Sequence, residues 1–160
     1  MPRKGHFFIL ITKKGGGRMN YVMLVSHGEF AYGLRNAVCM LAGGDREDVI
    51  AIGLKDGMGS DDFAVELKKV IPTLGDEDQL LIFADIVGGS PLTTTANVVS
   101  ELGILSKTTM IGGMNLPMVL TTVMSKDFMD LEDVKKDAMD GGVEQIREFA
   151  VAVDDEEEDL

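Results

Sequence analysis

From Asn20 to Gly112 the chain alternates short apolar runs with stretches of helical spacing, and this alternation narrows the available folds more than any other feature. "NYVMLVS", "DVIAIGL", "QLLIFADI" and "KTTMIGG" have the composition of strands. Between the first two, "EFAYGLRNAVCMLAG" places Phe30, Leu34, Ala37, Val38 and Leu41 on one helical face, and Gly43 and Gly44 end it. Ser60 reads as the cap of a second helix, with Asp61 and Asp62 at the positive end of its dipole and Pro72 and Gly75 as its stop. "PLTTTANVVSELG" is a third helix, closing at Gly103, and further helices are expected from about Asn115 to Ser125 and from Asp130 to Ala138. Strands alternating with helices build βαβ units, so the fold class is α/β with a mainly parallel sheet covered by helices. The third run is almost continuously apolar, which predicts a strand buried on both faces. "GVEQIREFAVAV" reads equally as a helix or as an extended edge strand.

The chain of 160 residues is long enough for one domain with a sizeable core. Its formal charge of −12 argues against binding to nucleic acid or anionic lipid, and suits a partner with a basic face. A single cysteine, Cys39, excludes an internal disulfide framework, and no apolar run is long enough to cross a bilayer, so a cytoplasmic location is expected. Three segments are distinguished. Residues 1–18 read as an N-terminal extension, upstream of the domain or non-native, because Met19 directly precedes the first well-formed strand. The alternative is an added edge strand; either way "FFILIT" needs a covering surface. Residues 19–153 form the domain, and residues 154–160 are an acidic tail that opens with six consecutive acids.

In open α/β sheets, ligands collect beyond the carboxyl ends of the strands. There the first run ends in Ser26-His27-Gly28, the second enters "KDGMGS", the third reaches Asp85 and "IVGGSP", and the fourth ends in "GGMNLP". A lone histidine has many structural uses, but His27 stands at a strand end just before a helix; His6 has no such setting. Asp85 is either a loop carboxylate or the partner of His27: a carboxylate on one imidazole nitrogen fixes the tautomer and leaves the other nitrogen as a nucleophile. If strands one and three are neighbours, the two side chains meet. Gly88 and Gly89 let the backbone approach a ligand, Ser90 reads as an N-cap and Pro91 suits the first helical turn. The result is a helix N-terminus suited to phosphate, or simply a well-capped helix. "KDGMGS" lacks the spacing and the lysine of a P-loop, and Asn115 is a candidate cap or rim residue. One histidine without cysteine or a second histidine nearby is a poor metal set, and no G-x-S-x-G is present. A histidine, a carboxylate and an anion-binding helix end together suggest phosphate carried on imidazole, with no cofactor and no metal.

"MLVSHGEFAYGL", "FADIVGGSPLTTTANV" and "IGGMNLPMVLTTVM" resemble, in order, the enzyme IIA component of the mannose–fructose–sorbose family of the bacterial phosphoenolpyruvate-dependent phosphotransferase system, over roughly Asn20 to Phe149. The resemblance implies a flavodoxin-like sheet and a homodimer in which an antiparallel edge strand, here "GVEQIREF", is exchanged. It implies that His27 accepts a phosphoryl group on Nε2 from phospho-HPr and passes it to enzyme IIB. Asp85 would orient His27 through Nδ1, Gly88, Gly89 and Ser90 would hold the phosphoryl oxygens, and Ser26, Gly28 and Asn115 would form the rim. The membrane components IIC and IID would be met only indirectly, which would place the chain in the cytoplasm or at the inner membrane face. The basic leader lies outside the family pattern, and the acidic tail stands in place of a fused IIB domain, so a stand-alone IIA is expected. Alternatives are the phosphoryl-accepting subunit of a dihydroxyacetone kinase system, disfavoured by "GGSP", and a tetrapyrrole metal chelatase, disfavoured by the lack of further metal-binding side chains. A non-catalytic regulator read in its phosphorylated state is a third.

Overall fold

A computed structural model describes residues 17–151. The expectations for the "FFILIT" leader and for the acidic tail from Asp154 onward fall outside these residues. In chain order the elements are β1 (Asn20–His27), α1 (Phe30–Leu41), β2 (Val49–Leu54), α2 (Ser60–Val70), β3 (Gln79–Ala84), α3 (Ser90–Glu101), a short 3₁₀ turn, β4 (Thr108–Gly112), α4 (Leu116–Ser125) and α5 (Leu131–Glu144). The strands form an all-parallel sheet in the order β2-β1-β3-β4. Strand composition and helix spacing thus predict every strand among the described residues.

Alternation along β1 divides the core. Val22 and Leu24 face one layer with Ala31, Leu34 and Val38 of α1, Val119 and Val123 of α4, and Val134 and Ala138 of α5. Tyr21, Met23 and Val25 face the other layer, with Phe63 and Leu67 of α2 and Val98 and Val99 of α3. Helices therefore cover both faces. Right-handed crossovers require this division, because the chain steps from β1 to β2 in one direction and then returns through β3 and β4 in the other. In β3, residues 80–84 are all buried, as expected for a strand sandwiched between helix layers.

Several local expectations are corrected. The inward stripe of α1 is Ala31, Leu34 and Val38, while Phe30 and Leu41, at the two ends of the helix, are about half exposed. The caps of α2 and α3 are Gly59 and Gly89, so Ser60 and Ser90 occupy the first helical position and neither hydroxyl caps. Helix α5 runs past Ala138 through Gly141 and Gly142 to Glu144. Those glycines serve packing: a Cβ on Gly142 would lie 3.0 Å from Met118, so α5 approaches α4 closely only without one. Consequently Gly142, Val143 and Glu144, the start of the candidate exchanged strand, are helical, and residues 145–151 contain no strand. No helix among the described residues is long and apolar enough to cross a membrane.

At the amino end of the strands lies a buried charge network. Lys126, 1% exposed, places Nζ 2.8 Å from Asp48 and 2.8 Å from Asp127, and its carbonyl accepts a hydrogen bond from Asn20 Nδ2. Arg46 holds Asp48 through Nε at 3.0 Å and Nη2 at 2.8 Å. Burial pushes the Asp48 carboxyl up, but hydrogen bonds from Arg46 and Lys126 outweigh it and hold the group below its ordinary range. A depressed folded-state pKa stabilises the fold above the unfolded value, about 3.9, and that stability is lost as pH falls through the folded value. Urea midpoints of the parent and Asp48→Asn should therefore differ by a constant amount above about pH 5 and converge below about pH 4. Removing the buried cation in Lys126→Met should cost about 3 kcal/mol in the same titration at neutral pH.

Candidate functional site

Strands β1 and β3 are parallel neighbours, with Val25 opposite Ala84, so His27 and Asp85 emerge side by side at the carboxyl edge of the sheet. His27 Nδ1 lies 2.8 Å from Asp85 Oδ2, and the same oxygen accepts the backbone N–H of His27, also at 2.8 Å. Asp85 Oδ1 accepts the N–H of Ile86 at 2.9 Å, and its own N–H donates to the Val25 carbonyl at 3.3 Å. The carboxylate is thus held from three directions and its side chain is only 13% exposed, whereas the imidazole is 47% exposed. A carboxylate has no proton to donate, so Nδ1 carries the hydrogen and Nε2 keeps its lone pair. The pair can therefore present a fixed nitrogen nucleophile on a half-exposed side chain.

The backbone around the ring is shaped by glycine. Gly28 has φ +55°, the left-handed region, which turns the chain abruptly from β1 into α1. Gly88, at φ +76°, does the same before α3. A Cβ on Gly89 would stand 3.0 Å from His27 Cε1, so the imidazole edge lies against the Gly89 backbone. Gly89 caps α3, Pro91 lacks an N–H, and the N–H groups of Ser90 and Leu92 fall in the first turn, where no intrahelical acceptor exists. These donors and the positive dipole end favour an anion beside the histidine. Ser90 is exposed at the same helix start.

Two of the expected rim residues make scaffold hydrogen bonds, Asn115 as the helix cap it also reads as in the sequence. Ser26 is fully buried, and its Oγ accepts the N–H of Ala31, capping α1 from within β1. Asn115 Oδ1 caps α4 by accepting the Met118 N–H at 3.0 Å, and its Nδ2 donates to the Gly142 carbonyl of α5 at 3.3 Å. The "KDGMGS" loop leaves β2 at the site's edge of the sheet. Sequence reasoning missed the second hydrogen bond to Asp85 Oδ2, because a backbone donor has no residue signature. It also missed the Arg46–Asp48–Lys126 network, because Lys126 lies far along the chain from Arg46 and Asp48. No group of three or more histidine, cysteine or acidic side chains with metal-binding geometry occurs among the described residues.

A four-stranded parallel sheet ordered 2-1-3-4, with its polar cluster between the strands where the winding reverses, defines a flavodoxin-like domain. Within that class, the chain belongs to the phosphotransferase-system (PTS) fructose IIA component family, EIIA-man, whose model matches residues 21–139. It is 25% identical over 113 residues to the fructose-specific EIIA component of the PTS from Bacillus subtilis (strain 168), covering 71% of this chain and 75% of that one. The crystal structure of a phosphotransferase system component EIIA from Streptococcus agalactiae superposes with a TM-score of 0.68 at 27% identity, covering 81% of this chain and 97% of that one. The mannose/sorbose-specific IIA subunit from Enterococcus faecalis shares the fold, with a TM-score of 0.68 at 19% identity over 84% of this chain and 98% of its own. Membership of a sugar phosphotransferase family agrees with the resemblance of the three sequence segments.

Ser26→Ala would leave the Ala31 N–H without its buried acceptor. Its chemical-denaturation stability should fall by about 1–2 kcal/mol, the loss typical of a deleted helix cap.

Proposed function

We propose that this chain is a phosphoryl carrier that accepts phosphate on His27 Nε2 from phospho-HPr and delivers it to an enzyme IIB component of a sugar-importing system. The observation that carries the reading is the 2.8 Å contact of His27 Nδ1 with Asp85 Oδ2, which leaves the other ring nitrogen of a half-exposed side chain with its lone pair. In the forward step the Nε2 lone pair attacks phosphorus and the P–N bond to the HPr histidine breaks. The new imidazole carries the phosphoryl group, and Asp85 balances the positive charge that develops on the ring through Nδ1–H. The Ser90 and Leu92 N–H groups, the Ser90 hydroxyl and the Gly88–Gly89 backbone are suited to the phosphoryl oxygens. Such transfer depends on positioning and charge stabilisation, which the chain's own residues supply. A net charge of −12 favours encounter with a basic partner surface.

Family membership supports HPr and enzyme IIB as partners, contact with IIC and IID only through IIB, and work in the cytoplasm or at the inner membrane face. We also infer a homodimer: Ile146, Phe149 and Val151 are 77%, 88% and 73% exposed in the single chain, and a second copy would cover them. Analytical ultracentrifugation should show a dimer, and Ile146→Asp/Phe149→Asp should sediment as a monomer.

Incubation with phosphoenolpyruvate, enzyme I and HPr should give an acid-labile, base-stable adduct of one phosphoryl group. His27→Ala should give none; an unchanged adduct in that variant would refute the assignment. Asp85→Asn should keep the fold but lose rate by about 10²–10⁴-fold, because a neutral amide cannot balance the positive charge that develops on the ring. Rapid-quench phosphorylation measures this directly.

A further inference from the structure

The two strands that carry His27 and Asp85 leave the sheet in the same manner. In register, Ser26 of β1 lies opposite Gly53 of β2, and Ala84 of β3 lies opposite Gly112 of β4. His27 and Asp85 are each the next residue, and after each the chain bends outward over the neighbouring outer strand. The Gly28 N–H donates to the Leu54 carbonyl at 2.8 Å, and the Gly28 carbonyl oxygen would lie 1.8 Å from a Cβ on Gly53. On the other side, a Cβ on Gly112 would lie 2.2 Å from Val87 Cγ2, 3.0 Å from the Val87 nitrogen and 3.1 Å from its Cα. Neither Gly53 nor Gly112 has a positive φ, so backbone conformation does not call for glycine at either place. What calls for it is space: each is the seat on which a site-bearing loop rests.

We propose that Gly53 and Gly112 are positioning residues for the His27–Asp85 pair, a role that rests on the reading of that pair as the phosphoryl-accepting centre. At Gly53 the conflict is with main chain. A methyl group would force the Gly28 carbonyl back by more than an ångström, and Gly28 follows His27 directly in the chain. Both His27 hydrogen bonds converge on Asp85 Oδ2 at 2.8 Å, so a displacement of His27 strains both together. At Gly112 the closest conflict is with the tip of a side chain, and only the lesser ones are with backbone. The Val87 loop follows Asp85 and Ile86, whose N–H holds Asp85 Oδ1 at 2.9 Å, so a lifted loop reorients the carboxylate. The loops are thereby registered by the outer strands, which contribute no chemical group of their own.

The test uses the full chain with Gly53→Ala, Gly112→Ala, Gly112→Ala/Val87→Ala and, as a control, Gly33→Ala, whose added Cβ meets nothing within 4 Å. Two quantities are read: the ¹⁵N signals of the His27 ring, which report the Nδ1–H tautomer, and the rate of phosphorylation by phospho-HPr. Gly53→Ala should remain folded by amide dispersion, lose the Nδ1–H preference and slow by about a hundredfold, the usual consequence of misplacing a reacting group by an ångström. Gly112→Ala should shift in the same direction by about tenfold, and adding Val87→Ala should recover part of the rate, because it removes the closest clash. Gly33→Ala should match the parent. A folded Gly53→Ala or Gly112→Ala with parental ring signals overturns the proposal. If Gly53→Ala does not fold, Gly112→Ala and its rescue decide. If the parent takes up no phosphate yet the ring signals move as described, the carrier reading fails and the positioning role stands.

Discussion

Because β1 pairs in parallel with both β2 and β3, the chain must leave the centre of the sheet in one direction and come back to its other side, and the site is a consequence of that reversal. At the reversal the loops after β1 and β3 diverge, and a crevice is left between them. His27 is the last residue of β1 and Asp85 the first past β3, so their separation is set by the spacing of adjacent strands rather than by flexible loops. A hydrogen-bonded pair held by two strands of a buried sheet loses little entropy when it binds, which suits a carrier that must meet successive protein partners.

The two ends of the sheet use charge differently. At the amino end, Lys126, Asp48, Arg46 and Asp127 satisfy one another and tie the loop after α4 to the entrance of β2. At the carboxyl end, Asp85 accepts three hydrogen bonds but the histidine it holds is half exposed. The difference is one of function: an ion network that is fully partnered contributes rigidity, whereas a site must keep one partner position vacant for what it binds. Local helix ends follow the same division. Ser26 and Asn115 spend their side chains on caps and so fix where α1 and α4 begin, while the start of α3 is capped by a glycine and keeps its N–H groups available.

Much of this was legible in the residues. The apolar runs marked all four strands because parallel strands buried by helices need near-continuous β-forming residues, and His27, Asp85 and the "GGSP" segment were legible as strand-end features. What was hidden was the partner that each polar side chain takes. Ser60 and Ser90 read as caps by composition, yet the preceding glycines take the cap positions. Asn115 read as a cap or rim residue, and it does cap α4, but nothing local showed that α5 lies close enough for Gly142 to accept its amide. Ser26 looked like part of the site because it precedes His27, although strand alternation turns it into the core to cap α1.

By itself, the sequence determined the fold class, the four strands and the residue types needed at the site, since each of these rests on local periodicity and on chemistry carried within a few residues. Only the tertiary structure decided which of those residues meet. The single Asp85 oxygen that receives two donors from His27, the burial of Lys126 against Asp48, and the glycines on the outer strands that seat the site loops all arise from register between strands far apart in the chain. Register is an outcome of packing the whole sheet between its helix layers, and no short stretch of residues encodes it.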